Sequence, residues 1–160
     1  MLLDMETDPR SSQQAYLHGR RVIVAGYGVV GRCVADRLEK DGAEVVVVEL
    51  NLDTIEKQLD QDRLVVYGDI AEPDILRKAG IETAAALILA VPDDEAAWRA
   101  CTQARRLSPG IFIAARTNHV SKGLMCTNAG ADEVVIEEIV TAEAMEAAVV
   151  RRLIDNAPES

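Results

Sequence analysis

From Arg20 onward, short apolar runs alternate with longer stretches in which apolar residues recur every three or four positions. The first run is Val22-Ile23-Val24-Ala25. The second, Val45 to Val48, is apolar throughout, the pattern of a strand buried on both faces. Further strands are predicted over Leu64 to Tyr67, Ala85 to Val91, Ile111 to Ala115 and Val134 to Ile136. Between them, helical spacing puts Val30, Val34 and Leu38 on one face, and Leu52, Ile55 and Leu59 on another. Ile75, Leu76 and Ala79 form the face of a short helix that Pro73 opens. Asp41-Gly42 ends the first helix, and Asn51 is placed to cap the second. Pro92 stops the fourth strand. Asp93-Asp94-Glu95 then opens a helix to Leu107, which Ser108-Pro109-Gly110 breaks. A helix near His119 to Asn128 follows the fifth strand, and Thr141 to Ile154 forms the last, apolar at Ala144, Met145, Ala148, Val149 and Leu153.

Six strands interleaved with helices predict a doubly wound α/β fold: a six-stranded parallel sheet in order 3-2-1-4-5-6, with helices on both faces in three layers. Residues 1–19 are polar and without sustained period, and are expected to be a flexible leader. The folded domain is expected over 20–154 and a disordered tail over 155–160.

Composition narrows this picture. With 49% hydrophobic and only 3% aromatic residues, the core must be built from Ala, Val, Leu and Ile. A net charge of −10 argues against nucleic-acid binding and against docking on an anionic membrane surface. Cys33, Cys101 and Cys126 form no CxxC pair and no metal-ligand spacing, and read as free thiols of a reducing compartment. The N-terminus lacks the apolar core of a signal peptide. The longest apolar run, Ala84 to Val91, is far short of the ~20 residues that span a bilayer.

The most specific chemistry follows the first strand. Gly26-Tyr27-Gly28-Val29-Val30-Gly31 is a GxGxxG turn between a strand and a helix, and the second strand ends in Glu49. That context gives the turn the Rossmann-like dinucleotide fingerprint: backbone amides at a helix start for phosphate, and an acid for ribose hydroxyls. Glu49 disfavours NADP, because a carboxylate repels a 2′-phosphate. Its alternative role is to cap Asn51 or neighbouring residues. Ligand is expected at the carboxyl ends of strands one and four, where the strand order reverses.

Candidate lining residues are therefore those just after each strand. They are the glycine turn with Tyr27, Val29 and Val30; Glu49 and Leu50; Gly68, Asp69 and Ile70; Ala90, Val91, Pro92 and Asp93; and Arg116, Thr117 and Asn118. Asp69 suits an adenine amino group or an Asx-turn on its own backbone. Arg116 suits a phosphate, a second ligand, or a salt bridge to one of the many acids. His119 reads as a cap or surface residue rather than a catalytic base. No nucleophile–base pairing stands out, and the chain ends soon after the sixth strand. A binding module is thus expected, with a small NAD-dependent oxidoreductase, or a fragment of one, as the alternative. A nucleotide-binding scaffold that has lost its ligand is the third reading.

Taken together, Val22 to Arg32, Val47-Val48-Glu49, Tyr67-Gly68-Asp69-Ile70, Ala79-Gly80-Ile81, Ala114-Ala115-Arg116 and Ala129 to Val134 resemble the TrkA-N, or RCK, nucleotide-binding domain over about residues 20–153. The resemblance implies a cytoplasmic regulator of potassium channels or transporters, held at the inner membrane through its partner without inserting. It implies binding of NAD(H), AMP, ADP or ATP and nucleotide-dependent rearrangement of a homodimer or higher oligomer. Gly26, Gly28, Gly31, Glu49 and Asp69 would carry the ligand, with Arg116 less securely placed. Valine at position 29 stands where many members carry an arginine that reaches terminal phosphates, which favours NAD(H) or AMP over ATP. Ile70 replaces a residue that is commonly small, and is expected to reshape the adenine pocket. Nothing after Ser160 supplies a second regulatory subdomain, so a stand-alone subunit or a piece of a longer transporter is expected. The last helix, apolar at Ile139, Val140, Met145, Ala148 and Val149, suggests a dimer contact, with packing on its own sheet as the alternative.

Overall fold

The computed structural model describes residues 16–59 and 62–155. Residues 1–15 of the leader expected over 1–19 and residues 156–160 of the tail expected over 155–160 lie outside the described residues, as do the side chains of Gln58 and Leu59. Within residues 16–19, Leu17 packs against the core and the Gly19 amide donates to the Gly42 carbonyl at 2.9 Å.

Six parallel strands make one sheet: β1 (Arg21–Ala25), β2 (Glu44–Glu49), β3 (Leu64–Tyr67), β4 (Ala86–Leu89), β5 (Phe112–Thr117) and β6 (Glu133–Ile136). Their order is β3-β2-β1-β4-β5-β6, as the alternation predicts. The helices are α1 (Val29–Lys40), α2 (Leu52–Leu59), α3 (Pro73–Ala79), α4 (Asp94–Leu107), α5 (Val120–Asn128) and α6 (Glu137–Leu153). Ile23↔Val46 and Ile23↔Leu87 are in register across the centre of the sheet.

One face of the sheet is covered along its whole width. Ile23, Val46, Leu87, Leu89 and Ile113 meet Leu76 of α3, Ala97, Ala100, Cys101 and Ala104 of α4, and Cys126 of α5. The small residues of α4 let it approach the strands closely. Asp93 caps this helix, accepting hydrogen bonds from the Glu95 and Ala96 amides at 2.9 and 3.3 Å. Hydrogen bonding with Cys126, then burial, pushes the Cys101 thiol up, away from thiolate chemistry.

The opposite face is covered over only half its width. There Val22, Val24, Val45 and Val47 pack with Ala35 of α1 and the buried ring of Tyr27. Arg63 clasps this layer from outside: its Nη2 donates to Glu39 at 2.8 Å, and its guanidinium stands 5.1 Å from the Tyr27 ring centre. Over β4 to β6 that face is open, so burial alternates. Leu87 and Leu89 are buried while Ile88 is half-buried, and Val135 on β6 is 55% exposed.

The helices depart from expectation in two places. The face of α1 that meets the sheet is Gly31 and Ala35, whose small size permits close contact. Val34 and Leu38 are half-buried, and Val30 turns outward at 40% exposure. The last helix begins at Glu137 rather than Thr141, directly from β6, and none of its residues is buried. Glu137 and Glu138 favour that start as first-turn acids. No helix among the described residues is long and apolar enough to cross a membrane.

Candidate functional site

The carboxyl ends of β1 and β4 diverge into a cleft of about 670 Å³. Its floor is the glycine turn, where each glycine answers a different local demand. Gly26 holds φ +86, a left-handed conformation, and a Cβ there would lie 2.9 Å from the Ala90 carbonyl. At Gly31 a Cβ would fall 1.8 Å from the Gly26 carbonyl oxygen, so only glycine lets α1 start this close to β1. Gly28 is the reverse case: a Cβ there would meet nothing within 4 Å. It is the N-cap of α1 and provides no side-chain acceptor, and the first turn holds no acid.

The first helical hydrogen bond runs from the Arg32 amide to the Gly28 carbonyl, at 3.0 Å. The amides of Val29, Val30 and Gly31 precede it and are the orphan donors of the helix start. Their shared partial positive charge suits an anion, and the backbone at Gly28 is bare enough for one to approach. The residues thus fit a nucleotide phosphate. The Val29 side chain is 78% exposed and brings no charge to it. Tyr27 contributes backbone only, since its ring is buried beneath α1.

Glu49 sits at the cleft rim and is held by backbone donors. Its Oε2 accepts from the Tyr27 amide at 2.8 Å, while Oε1 accepts from Leu50 and Asn51 at 2.7 and 3.0 Å. It thus caps the turn after β2, one of the two roles weighed for it, and it also lines the cleft. The hydrogen bonds fix its orientation, so a ribose would meet a preset acceptor. Asp69 also combines two features. Oδ1 accepts from the Ala71 amide at 2.9 Å, an Asx-turn, and the residue lines the cleft. Ile70 lines the cleft too but is only 2% exposed, its side chain packed in the core.

Across the cleft stand Ala90, Val91, Pro92, Asp93 and Arg116. Arg116 Nη1 donates to the Ala90 carbonyl at 3.3 Å, and Nε lies 2.7 Å from Glu137 Oε1. Thr117 is buried, and Asn118 is fixed by Asp94 and by the Pro92 carbonyl. Neither lines the cleft. His119 heads α5 with its ring exposed, 3.3 Å from Glu138. The Val120 amide first, then His119, hold the Glu138 carboxyl below its usual range.

Val30 belongs to a different cavity. An apolar groove of about 380 Å³ runs along the open half of the sheet, lined by Val30, Val34, Ile88, Val135 and Val140, with Arg116 at its boundary with the cleft. Thr54 and Ala96 line the cleft without having been singled out by sequence. Each sits one turn into a helix, which the strand-end rule does not reach.

Comparison with known proteins gives a consistent picture. The family model for the TrkA-N domain matches residues 22–137. Potassium channel protein 1 of Methanocaldococcus jannaschii is 32% identical over 120 residues, covering 74% of this chain and 36% of that protein. The chain spans about a third or less of the relatives it matches, 19% in the case of a putative K(+) efflux antiporter KefB of Alkalimonas amylolytica. Among solved structures, the TrkA-N domain of the inner membrane protein YbaL from Escherichia coli superposes with a TM-score of 0.76 at 27% identity. That match covers 82% of this chain and 97% of the other. The AMP-bound Kef C-terminal domain of Shewanella denitrificans gives 0.71 at 26% identity, with 84% and 83% covered. The NAD-bound GsuK channel gives 0.65 at 26%, covering 74% of this chain and 21% of that one.

Proposed function

The chain belongs to the TrkA-N domain family, and from that premise we propose that it is a nucleotide-sensing regulatory domain controlling a channel or transporter for potassium or a related monovalent cation. The observation that carries this reading is the bare Gly28 backbone at the uncapped start of α1, facing the preset Glu49 carboxylate across one cleft. Phosphate on the amides and ribose on Glu49 give NAD(H) or AMP as the favoured ligands. ADP and ATP receive less help because Val29 brings no charge, and NADP is opposed by Glu49. Relatives bound to NAD, AMP and ADP support the ligand class.

The oxidoreductase alternative finds little support in the cleft. Among its lining groups Glu49, Asp69 and Asp93 accept from backbone amides and Arg116 pairs with Glu137, an arrangement that does not favour a proton-transfer residue.

Regulation requires that occupancy change an assembly, and the open half of the sheet offers a place for it. Helix α6 exposes Ile139, Met145, Val149 and Leu153 while burying nothing, and the groove beside its root is apolar. The natural occupant is a second copy of the chain, its α6 laid on this groove and the exchange reciprocated about a two-fold axis. Nucleotide then shifts the dimer only as far as it binds one geometry more tightly than the other. A thermal-shift titration with NADH, NAD, NADPH, AMP, ADP and ATP tests the reading. Stabilisation by NADH or AMP without NADPH supports it, and no shift with any nucleotide contradicts it. Sedimentation should show a dimer that Met145→Asp dissociates; self-association indifferent to that change would remove α6 from the interface.

A further inference from the structure

We propose that Arg116 is a latch with two alternative partners, Glu137 at the root of α6 and a distal phosphate of the bound nucleotide, so that ligand charge is transmitted to the helix. The inference rests on the nucleotide reading of the cleft and adds the route by which the cleft reaches the assembly surface.

Arg116 stands on the wall between two cavities: it lines both the nucleotide cleft and the apolar groove. Its position on β5 points it to the open face of the sheet, in register with Val135 of β6. Its side chain is 21% exposed, so the charge is largely removed from water. Yet its hydrogen bonding is poor. Nε lies 2.7 Å from Glu137 but makes no aligned hydrogen bond among the described residues, and the Nη1 contact to Ala90 is long at 3.3 Å. A guanidinium in that condition favours any planar or tetrahedral anion that can take two aligned donors, and a phosphate does so better than this carboxylate. The glycine turn holds the first phosphate; Arg116, across the cleft beside Ala90, is placed for the next one along.

Glu137 makes the exchange mechanical. It is the first residue of α6, which leaves β6 without a linker and buries no residue along its length. The root of the helix is otherwise held through Glu138. Its carboxylate accepts from the Val120 amide at 2.7 Å, and its own amide donates to the Asn118 carbonyl at 3.3 Å. When Arg116 turns to phosphate, Glu137 is freed in an apolar groove while Glu138 stays tethered to α5. The helix then pivots about residue 138. Because the groove is also the proposed dimer surface, the exchange at Arg116 becomes a displacement of the exposed lever.

Calorimetric titration of ADP and adenosine into the wild-type chain and its variants tests this. Glu137→Gln removes the competitor and should raise ADP affinity about five-fold, a factor set by the modest strength of a partly exposed ion pair, with adenosine unchanged. Arg116→Gln should lower ADP affinity and abolish the gain from Glu137→Gln. Arg116→Lys, which keeps the charge but not the fork, should fold like the wild type and also lose most of the gain. Hydrogen exchange at residues 137–141 should rise on ADP binding, and should already be raised in Glu137→Gln without ligand. A gain that persists in the Arg116→Gln background would show simple charge repulsion and overturn the latch. So would ADP binding that is indifferent to Glu137, which leaves the nucleotide reading standing. If neither ADP nor adenosine binds the wild type, the cleft reading falls and the latch with it.

Discussion

Gly28→Ala separates the ligand site from the fold more cleanly than any other single change. Gly28 has φ −76 and ψ −160, a conformation open to alanine, and the added methyl group meets no atom within 4 Å. Alanine is a poorer N-cap than glycine. It also restricts the unfolded chain, a gain of about 0.4–1 kcal/mol. The two effects oppose each other, so folding stability should change by less than about 1 kcal/mol, a few degrees in Tm. The ligand has no such tolerance. Gly28 lines the cleft, so the added methyl takes space that a phosphate on the Val29, Val30 and Gly31 amides would need, and the phosphate must withdraw. Loss of one hydrogen bond to a charged group costs about 1.5–3 kcal/mol, or roughly 10- to 150-fold in Kd. Calorimetry with AMP and NAD should show that loss, with adenosine, which lacks phosphate, keeping its affinity. Unchanged AMP affinity in a normally folded variant would refute the phosphate assignment. An equal loss for adenosine would show a distorted cleft instead. Gly31→Ala is the control: its methyl would sit 1.8 Å from the Gly26 carbonyl oxygen, so stability and binding should fall together.

Three further outcomes are expected. Glu49→Ala should weaken adenosine binding and also lower Tm, because the part-buried Tyr27 amide loses its acceptor, at about 1–3 kcal/mol, while the exposed Leu50 and Asn51 amides can turn to water; unchanged adenosine affinity would remove the ribose role. In the native protein a thiol reagent should modify exposed Cys33 rapidly and the buried Cys101 and Cys126 only on unfolding, so fast reaction of all three would contradict the packing of α4 on α5. The folded-state pKa of Glu138 is depressed, so the stabilisation it gives α5 is present above its unfolded pKa and fades as pH falls through the folded value. The protection of the Val120 amide, corrected for the pH dependence of intrinsic exchange, should fall across that acidic window in wild type but not in Glu138→Gln.

The sheet was legible because its strands carry their own evidence. Val45 to Val48 reads as a central strand from four consecutive apolar residues, and the GxGxxG turn marks the strand beside the crossover. The ends of strands then pointed to most of the cleft. Val30, Val135 and Val140 could not be placed the same way: periodicity reports that a side chain is apolar, not which surface covers it. A groove wall and a core face give the same pattern, so the spacing groups Val30 with Val34 and Leu38 on one face without saying what that face meets. The start of α6 was hidden because Glu137 and Glu138 follow β6 with no glycine or proline to mark the boundary. Arg116 was visible as a charge after a strand. Its pairing with Glu137 was not, since it depends on which face of β5 the residue occupies and on where α6 begins. The helix-internal cleft residues Thr54 and Ala96 carry no sequence signal at all.

The central claim is that the cleft is a sensor, and the distance between the two α6 helices of a dimer tests it most directly. A spin label at Glu143→Cys, in a Cys33→Ser background, reports that distance from an exposed position on the helix. On saturation with NAD, confirmed calorimetrically on the same sample, the inter-label distance distribution should move to a new maximum, and NADP at the same concentration should leave it in place. A distribution that stays fixed while NAD is bound would contradict the account.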